Sequence, residues 1–116
     1  MEIICIPNER MDSFYNIRVI KIDECDDEIR LEGAVFDLFE LDECSCGAFP
    51  IREDLTTDEN GEVFITSLAE GYYKLVEKRA PCGYVLCCES EWIVELSCCF
   101  ADFENTVEIV ICNSRA

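Results

Sequence analysis

The chain has 116 residues, half of them hydrophobic, which suits one domain with a real core and sets intrinsic disorder aside. Its 26 Asp and Glu against 9 Lys and Arg give a formal charge of -17. A surface of that sign repels phosphate backbones and anionic headgroups, so neither nucleic acid nor an anionic membrane is expected as a partner.

Residues 1–16 read as an N-terminal arm. Ile3, Ile4 and Ile6 suit a short added strand, and Pro7-Asn8-Glu9-Arg10 reads as a hinge. The opening lacks the basic start and apolar run of a secretory leader, no stretch has the length of a transmembrane helix, and no sorting tail follows Ala116. The expectation is a mature segment or another export route. The domain proper is placed at 17–116. There, short runs rich in Val, Ile, Phe and Tyr alternate with Gly, Asp, Asn and Pro, the all-β pattern. Strands are predicted near Ile17–Asp23, Ala34–Leu41, Ala48–Arg52, Glu62–Ser67, Tyr72–Lys78, Glu91–Leu96 and Thr106–Cys112. Asp58-Glu59-Asn60-Gly61, Glu70-Gly71 and Ala80-Pro81-Cys82-Gly83 supply turns between them. Seven short strands at this spacing predict a two-sheet, Ig-like sandwich.

Ten cysteines stand at Cys5, Cys25, Cys44, Cys46, Cys82, Cys87, Cys88, Cys98, Cys99 and Cys112, two pairs of them vicinal. An oxidising compartment would make these candidate disulfides, with a connectivity that sequence does not reveal. Unpaired buried or redox thiols are the alternative. Cys44-Ser45-Cys46 has chelating spacing, but with no histidine and no CxxC pair the sequence assigns no metal site, and it implies no cofactor.

Side chains alternate faces along a strand, so parity places residues. Lys21 shares its face with Ile17 and Val19, Glu77 with Tyr73 and Leu75, and Asn113 with Val107, Ile109 and Ile111. Each polar residue ends an apolar stripe. One reading is ordinary: Lys21 snorkels at a strand end and Glu77 pairs with a cation such as Arg79. The other is chemical. Burial lowers a lysine pKa and raises a glutamate pKa. A neutral amine then attacks the asparagine side-chain carbonyl while the protonated carboxyl polarises it, ammonia leaves, and an isopeptide bond remains.

Motif order bears on that choice. Val19-Ile-Lys21-Ile-Asp-Glu24, Leu31-Glu-Gly-Ala-Val-Phe-Asp-Leu-Phe39, Thr57-Asp-Glu-Asn-Gly61, Leu68 to Glu77 with Lys78-Arg-Ala-Pro-Cys-Gly-Tyr84, and Val107-Glu-Ile-Val-Ile-Cys-Asn113 follow one another. Together they resemble Cna protein B-type, or SpaA-type, pilin domains over roughly residues 17 to 113. The resemblance implies a prealbumin-like, reverse-Ig sandwich of Gram-positive pili and adhesins. It further implies Lys21 as nucleophile, Asn113 as electrophile and Glu77 as the catalytic acid of an autocatalytic isopeptide bond. The family is usually poor in cysteine, whereas Cys25, Cys82 and Cys112 lie inside these motifs.

The expected function is a structural subunit of an extracellular surface fibre, built from copies of itself head to tail. The arm is the candidate intersubunit connector and the cysteines are candidate cross-links. An adhesin or stalk module of a larger bacterial surface protein is the alternative. An enzyme acting on a small molecule is not expected, since the absence of His removes His-dependent triads.

Overall fold

The computed structural model describes residues 14–41, 50–86, 90–97, 101 and 104–116. The predicted arm, apart from Phe14 to Asn16, and seven of the cysteines (Cys5, Cys44, Cys46, Cys87, Cys88, Cys98 and Cys99) lie outside the described residues. Nine strands run in chain order: β1 Tyr15–Asp23, β2 Asp26–Arg30, β3 Val35–Leu41, β4 Pro50–Thr56, β5 Glu62–Leu68, β6 Gly71–Arg79, β7 Tyr84–Val85, β8 Glu91–Leu96 and β9 Thr106–Arg115.

They form two sheets. One has the order β2-β1-β9-β7, with β5 also paired to β1; the other has the order β4-β3-β6-β8. β1 and β9, the first and last described strands, lie parallel in unbroken register from Asn16↔Thr106 to Asp23↔Asn113. Parallel neighbours need a long crossover, and here the rest of the domain provides it. The inner faces are the ones parity predicts. Ile17 and Val19 of β1, Phe36 and Leu38 of β3 and Leu75 of β6 are fully buried, with Ile111 of β9 closing the core.

The all-β sandwich is as predicted, but the count is nine strands among the described residues rather than seven. β2 escapes the pattern because Asp-Asp-Glu-Ile-Arg is almost wholly exposed and has no apolar face. β7 is only two residues long, held by pairing with Ser114 and Arg115. The third predicted strand runs further, to Thr56, and its first two residues lie outside the described ones. β4 is an edge strand with broken register against β3. Asp54 sits at φ 56°, where its N–H donates to the Asp37 carboxylate at 3.0 Å. Lys78 Nζ lies 2.6 Å from Asp54 and 3.1 Å from Asp37, on the solvent side.

The turn from Asp58 to Gly61 folds as its residue types require. The Asp58 carboxylate accepts from the N–H groups of Asn60 and Glu62 at 2.9 and 3.0 Å, and Gly61 takes φ +72°. Gly61 matters beyond its turn. Its carbonyl accepts from the Lys21 N–H at 2.8 Å, so the turn fixes the backbone at the residue on which the site is built.

Candidate functional site

Lys21, Glu77 and Asn113 converge between the sheets near one end of the core. β1 presents Lys21, β9 presents Asn113 and β6 presents Glu77 from the facing sheet. The parallel register sets Lys21 opposite Ile111 and Asp23 opposite Asn113. Lys21 and Asn113 therefore share a face on adjacent strands, two positions out of step, a diagonal that a long side chain spans.

All three side chains are removed from solvent, Lys21 at 0 % and Glu77 and Asn113 at 1 % exposure. Lys21 Nζ donates to Glu77 Oε1 at 3.2 Å and lies 5.8 Å from the centroid of the Phe36 ring, which favours a cation. The Asn113 amide donates from Nδ2 to the Val85 carbonyl at 3.1 Å, so β7, which sequence patterning missed, orients the side chain. Two buried side-chain oxygens have no hydrogen-bond partner among the described residues: Glu77 Oε2 and Asn113 Oδ1. Both are acceptors while Glu77 is ionised. A proton on Glu77 turns Oε2 into a donor, and the Asn113 carbonyl is the acceptor that wants one. Burial pushes the Glu77 carboxyl above its usual range, opposed by the charge and the hydrogen bond of Lys21.

The ordinary alternative for these residues does not hold. Lys21 does not snorkel, and the cation paired with Glu77 is Lys21, while Arg79 is exposed. A dry carboxylate and ammonium each cost several kcal/mol of hydration, which a single contact only partly offsets. An apolar pair of similar volume often folds as well.

A second polar cluster, not anticipated from the sequence, closes the same end. Asp23, 1 % exposed, accepts from Tyr84 O–H at 2.7 Å, Arg115 Nε at 2.8 Å and the Cys25 N–H at 2.7 Å. The hydrogen bond from Tyr84 and then those from Arg115 and Cys25 hold its carboxyl down at about 2. Parity from Lys21 places Asp23 inward, which was the available signal; its side-chain partners come from β7 and β9 and had none. Nearby, the Ser114 hydroxyl donates to the Glu24 carboxylate. Cys25, Cys82 and Cys112 are exposed free thiols.

Comparison with known proteins places the fold. A family model described as SpaA, prealbumin-like fold domain, matches residues 15–110. The backbone protein of the group B streptococcus pilus 2b is 28 % identical at a TM-score of 0.72, with 88 % of this chain and 41 % of that one covered. GBS52, the minor pilin of Streptococcus agalactiae, is 26 % identical at 0.71, covering 90 % and 45 %. Domains D2 and D3 of the major pilin SpaD of Corynebacterium diphtheriae share the fold at 22 % identity and 0.73, covering 88 % and 47 %. The chain thus spans less than half the length of these solved structures. No curated protein sequence matches it.

Proposed function

The chain belongs to the SpaA family of prealbumin-like fold domains, and from that premise we propose that it is a structural subunit of an extracellular, pilus-like surface fibre of the Gram-positive type. The observation that carries this reading is the dry Lys21–Glu77 pair beside Asn113, which suits an internal cross-link made once and kept. In the step, the Lys21 ammonium gives a proton to Glu77 and the neutral amine adds to the Asn113 side-chain carbon. The Glu77 acid donates to Oδ1 as charge develops there. Glu77, ionised again, takes the surplus proton from Nζ and passes it to the Asn113 nitrogen; the tetrahedral intermediate then collapses with the Oδ1 proton returning to Glu77, the nitrogen leaves as ammonia, and an Nζ–Cγ amide joins β1 to β9. The site consumes itself, so nothing turns over and no cofactor is needed.

A clamp between these two strands fits a load-bearing role. β1 and β9 are neighbours in the middle of their sheet, and a covalent tie there keeps force applied along the chain from peeling them apart. Assembly in this reading is head to tail between copies of the chain. Residues 1–13 act as connector, and disulfides through the exposed Cys25, Cys82 and Cys112 and through the other cysteines lock the contact. Intact mass tests the reading: reduced, denatured protein is expected lighter than its sequence by one ammonia, and non-reducing electrophoresis is expected to show a ladder. One observation favours a second reading. Because the chain spans under half the length of its pilin relatives, it also suits one module of a longer adhesin or stalk, for which a monomer is expected in place of the ladder.

A further inference from the structure

Among the described residues, the sandwich is open along one side. β8 has a neighbour, β6, on one edge only, and β9 pairs with β1 along its length but with β7 only at Ser114 and Arg115. Among the described residues, no strand pairs with the outer edge of β8 or with the edge of β9 that faces away from β1 over Val107–Ile111. The two free edges border one groove of ≈ 340 Å³, lined by Trp92, Ile93, Val94, Glu95, Val107 and Ile109. Its floor is the core itself: Val94 is buried, and Trp92, Val107 and Ile109 pack on the core while staying partly open. Unpaired backbone groups flanking an apolar cleft are a template for an added strand, and left bare they invite aggregation.

The chain carries a segment suited to fill it. Residues 1–13 precede the described fold, and Ile3, Ile4 and Ile6 give them an apolar stretch in a protein of charge -17. The segment leaves the domain at the head of this groove. The Phe14 carbonyl accepts from Asn105 Nδ2 at 3.2 Å, the Asn16 N–H donates to the Asn105 carbonyl at 2.8 Å, and β9 starts at the next residue. Thirteen extended residues reach roughly 43 Å, against about 17 Å for the stretch of β9 from Thr106 to Ile111, so length suffices for a strand and a hinge.

We propose that the groove between β8 and β9 is the acceptor for the Ile3–Ile6 stretch of the arm, which adds there as a strand. That the arm comes from a neighbouring copy rests on the fibre reading above; the acceptor does not. Occupancy buries Trp92, and with it the ring packed 6.5 Å from Phe36, the residue that faces Lys21.

Trp92 is the sole tryptophan, so its emission reports the groove. In the full-length variant Ile3→Asp/Ile4→Asp/Ile6→Asp, the emission is expected to shift to the red. A synthetic peptide of residues 1–13 should reverse the shift, whereas a scrambled peptide should not. With a photo-reactive group at position 4, that peptide should cross-link to Trp92–Glu95 and to Val107–Ile109. Unchanged emission in the variant, or cross-links confined to β2 or β4, overturns the proposal. Electron microscopy separates the two readings. Fibres that vanish in the variant while the peptide labels another edge keep the arm as connector and remove this acceptor. A wild-type protein that stays monomeric, with Trp92 shielded at every dilution and the peptide labelling the groove, keeps the acceptor, assigns the strand to its own chain and removes the fibre.

Discussion

Lys21 Nζ lies 3.2 Å from Glu77 Oε1 in a space closed to water, and Asn113 stands on the adjacent strand, two residues past the register partner of Lys21. Glu77→Ala is expected to restore the full sequence mass, as is Asn113→Ala, because each removes one participant in the step. A wild-type chain of unmodified mass would leave only a buried ion pair. The cross-link closes a loop of about 90 residues, for which chain-entropy reasoning gives stabilisation of about 4–5 kcal/mol. Both variants should therefore unfold at clearly lower denaturant than wild type, with the loss visible on the unfolding side of a chevron.

Lys21→Met removes the amine and leaves Glu77 buried without its cation. The pair exists only in a chain that has not cross-linked, so the fair reference is Asn113→Ala, and against it the broken buried pair costs about 3–5 kcal/mol at neutral pH. Burial raises the folded carboxyl above its ordinary 4.5, so above that value the folded state holds a proton that the unfolded state has released. Stability of the variant should then fall as pH rises from 4.5 through the folded value and level off beyond it. Urea melts from pH 4 to pH 8 check this. Adding Glu77→Gln should flatten the profile, and a profile that stays steep would assign the titration to another group.

Much of this site is visible in the sequence because strand parity is local. Lys21, Glu77 and Asn113 each end an apolar stripe, and knowing the face of a residue requires only its neighbours two positions away. Their meeting is not local. It depends on β1 and β9 lying parallel in one sheet with β6 facing them, and only motif order supplied that. Val85 and Tyr84 were missed because a two-residue strand has no period to detect. β2 was missed because its exposed acidic residues look like a loop. The open seam was missed because an unpaired edge is a property of the whole topology; Trp92 read alone is simply another apolar residue in a strand.

Asp23 should govern part of the acid stability. Its carboxyl is lowered from 3.8 to about 2, first by the Tyr84 hydroxyl and then by Arg115 and the Cys25 N–H. A depressed carboxyl contributes stability above its unfolded value and loses it as pH falls through the folded one. Between pH 4 and pH 2, wild type should lose more stability than Asp23→Asn, while at pH 7 the variant should be the weaker of the two. Thermal midpoints across that range decide; equal slopes would mean the cluster does not survive in solution.

Exposed thiols on one folded domain should declare themselves by reactivity. Cys25, Cys82 and Cys112 are accessible without unfolding, so brief alkylation of reduced, folded protein should label all three, as read by peptide mapping. Replacing them together with Ser should change the unfolding free energy by no more than about 0.5 kcal/mol each, as expected for surface positions. Loss of the non-reducing ladder in that variant would place the intersubunit bonds at this end of the domain. A persistent ladder would move them to the remaining cysteines.

Gly61→Ala should be among the most damaging single changes, although position 61 lies in a turn. Its φ of +72° costs an L side chain about 1–2 kcal/mol. A Cβ there would also meet Lys21 O, Leu31 N and Arg30 Cβ, each at 2.9 Å. Two of those are backbone atoms joined by the Leu31 N–H to Lys21 carbonyl bond of 3.0 Å, so relief requires β1 and the end of β2 to part. The displaced backbone belongs to the nucleophile. Loss of stability should therefore come with slower or incomplete loss of ammonia, a coupling that an ordinary turn mutation would lack. Following intact mass over time after refolding in denaturant-free buffer separates the two effects. If Gly61→Ala lowers the melting temperature yet cross-links as completely and as fast as wild type, the turn supports the fold alone and does not position Lys21.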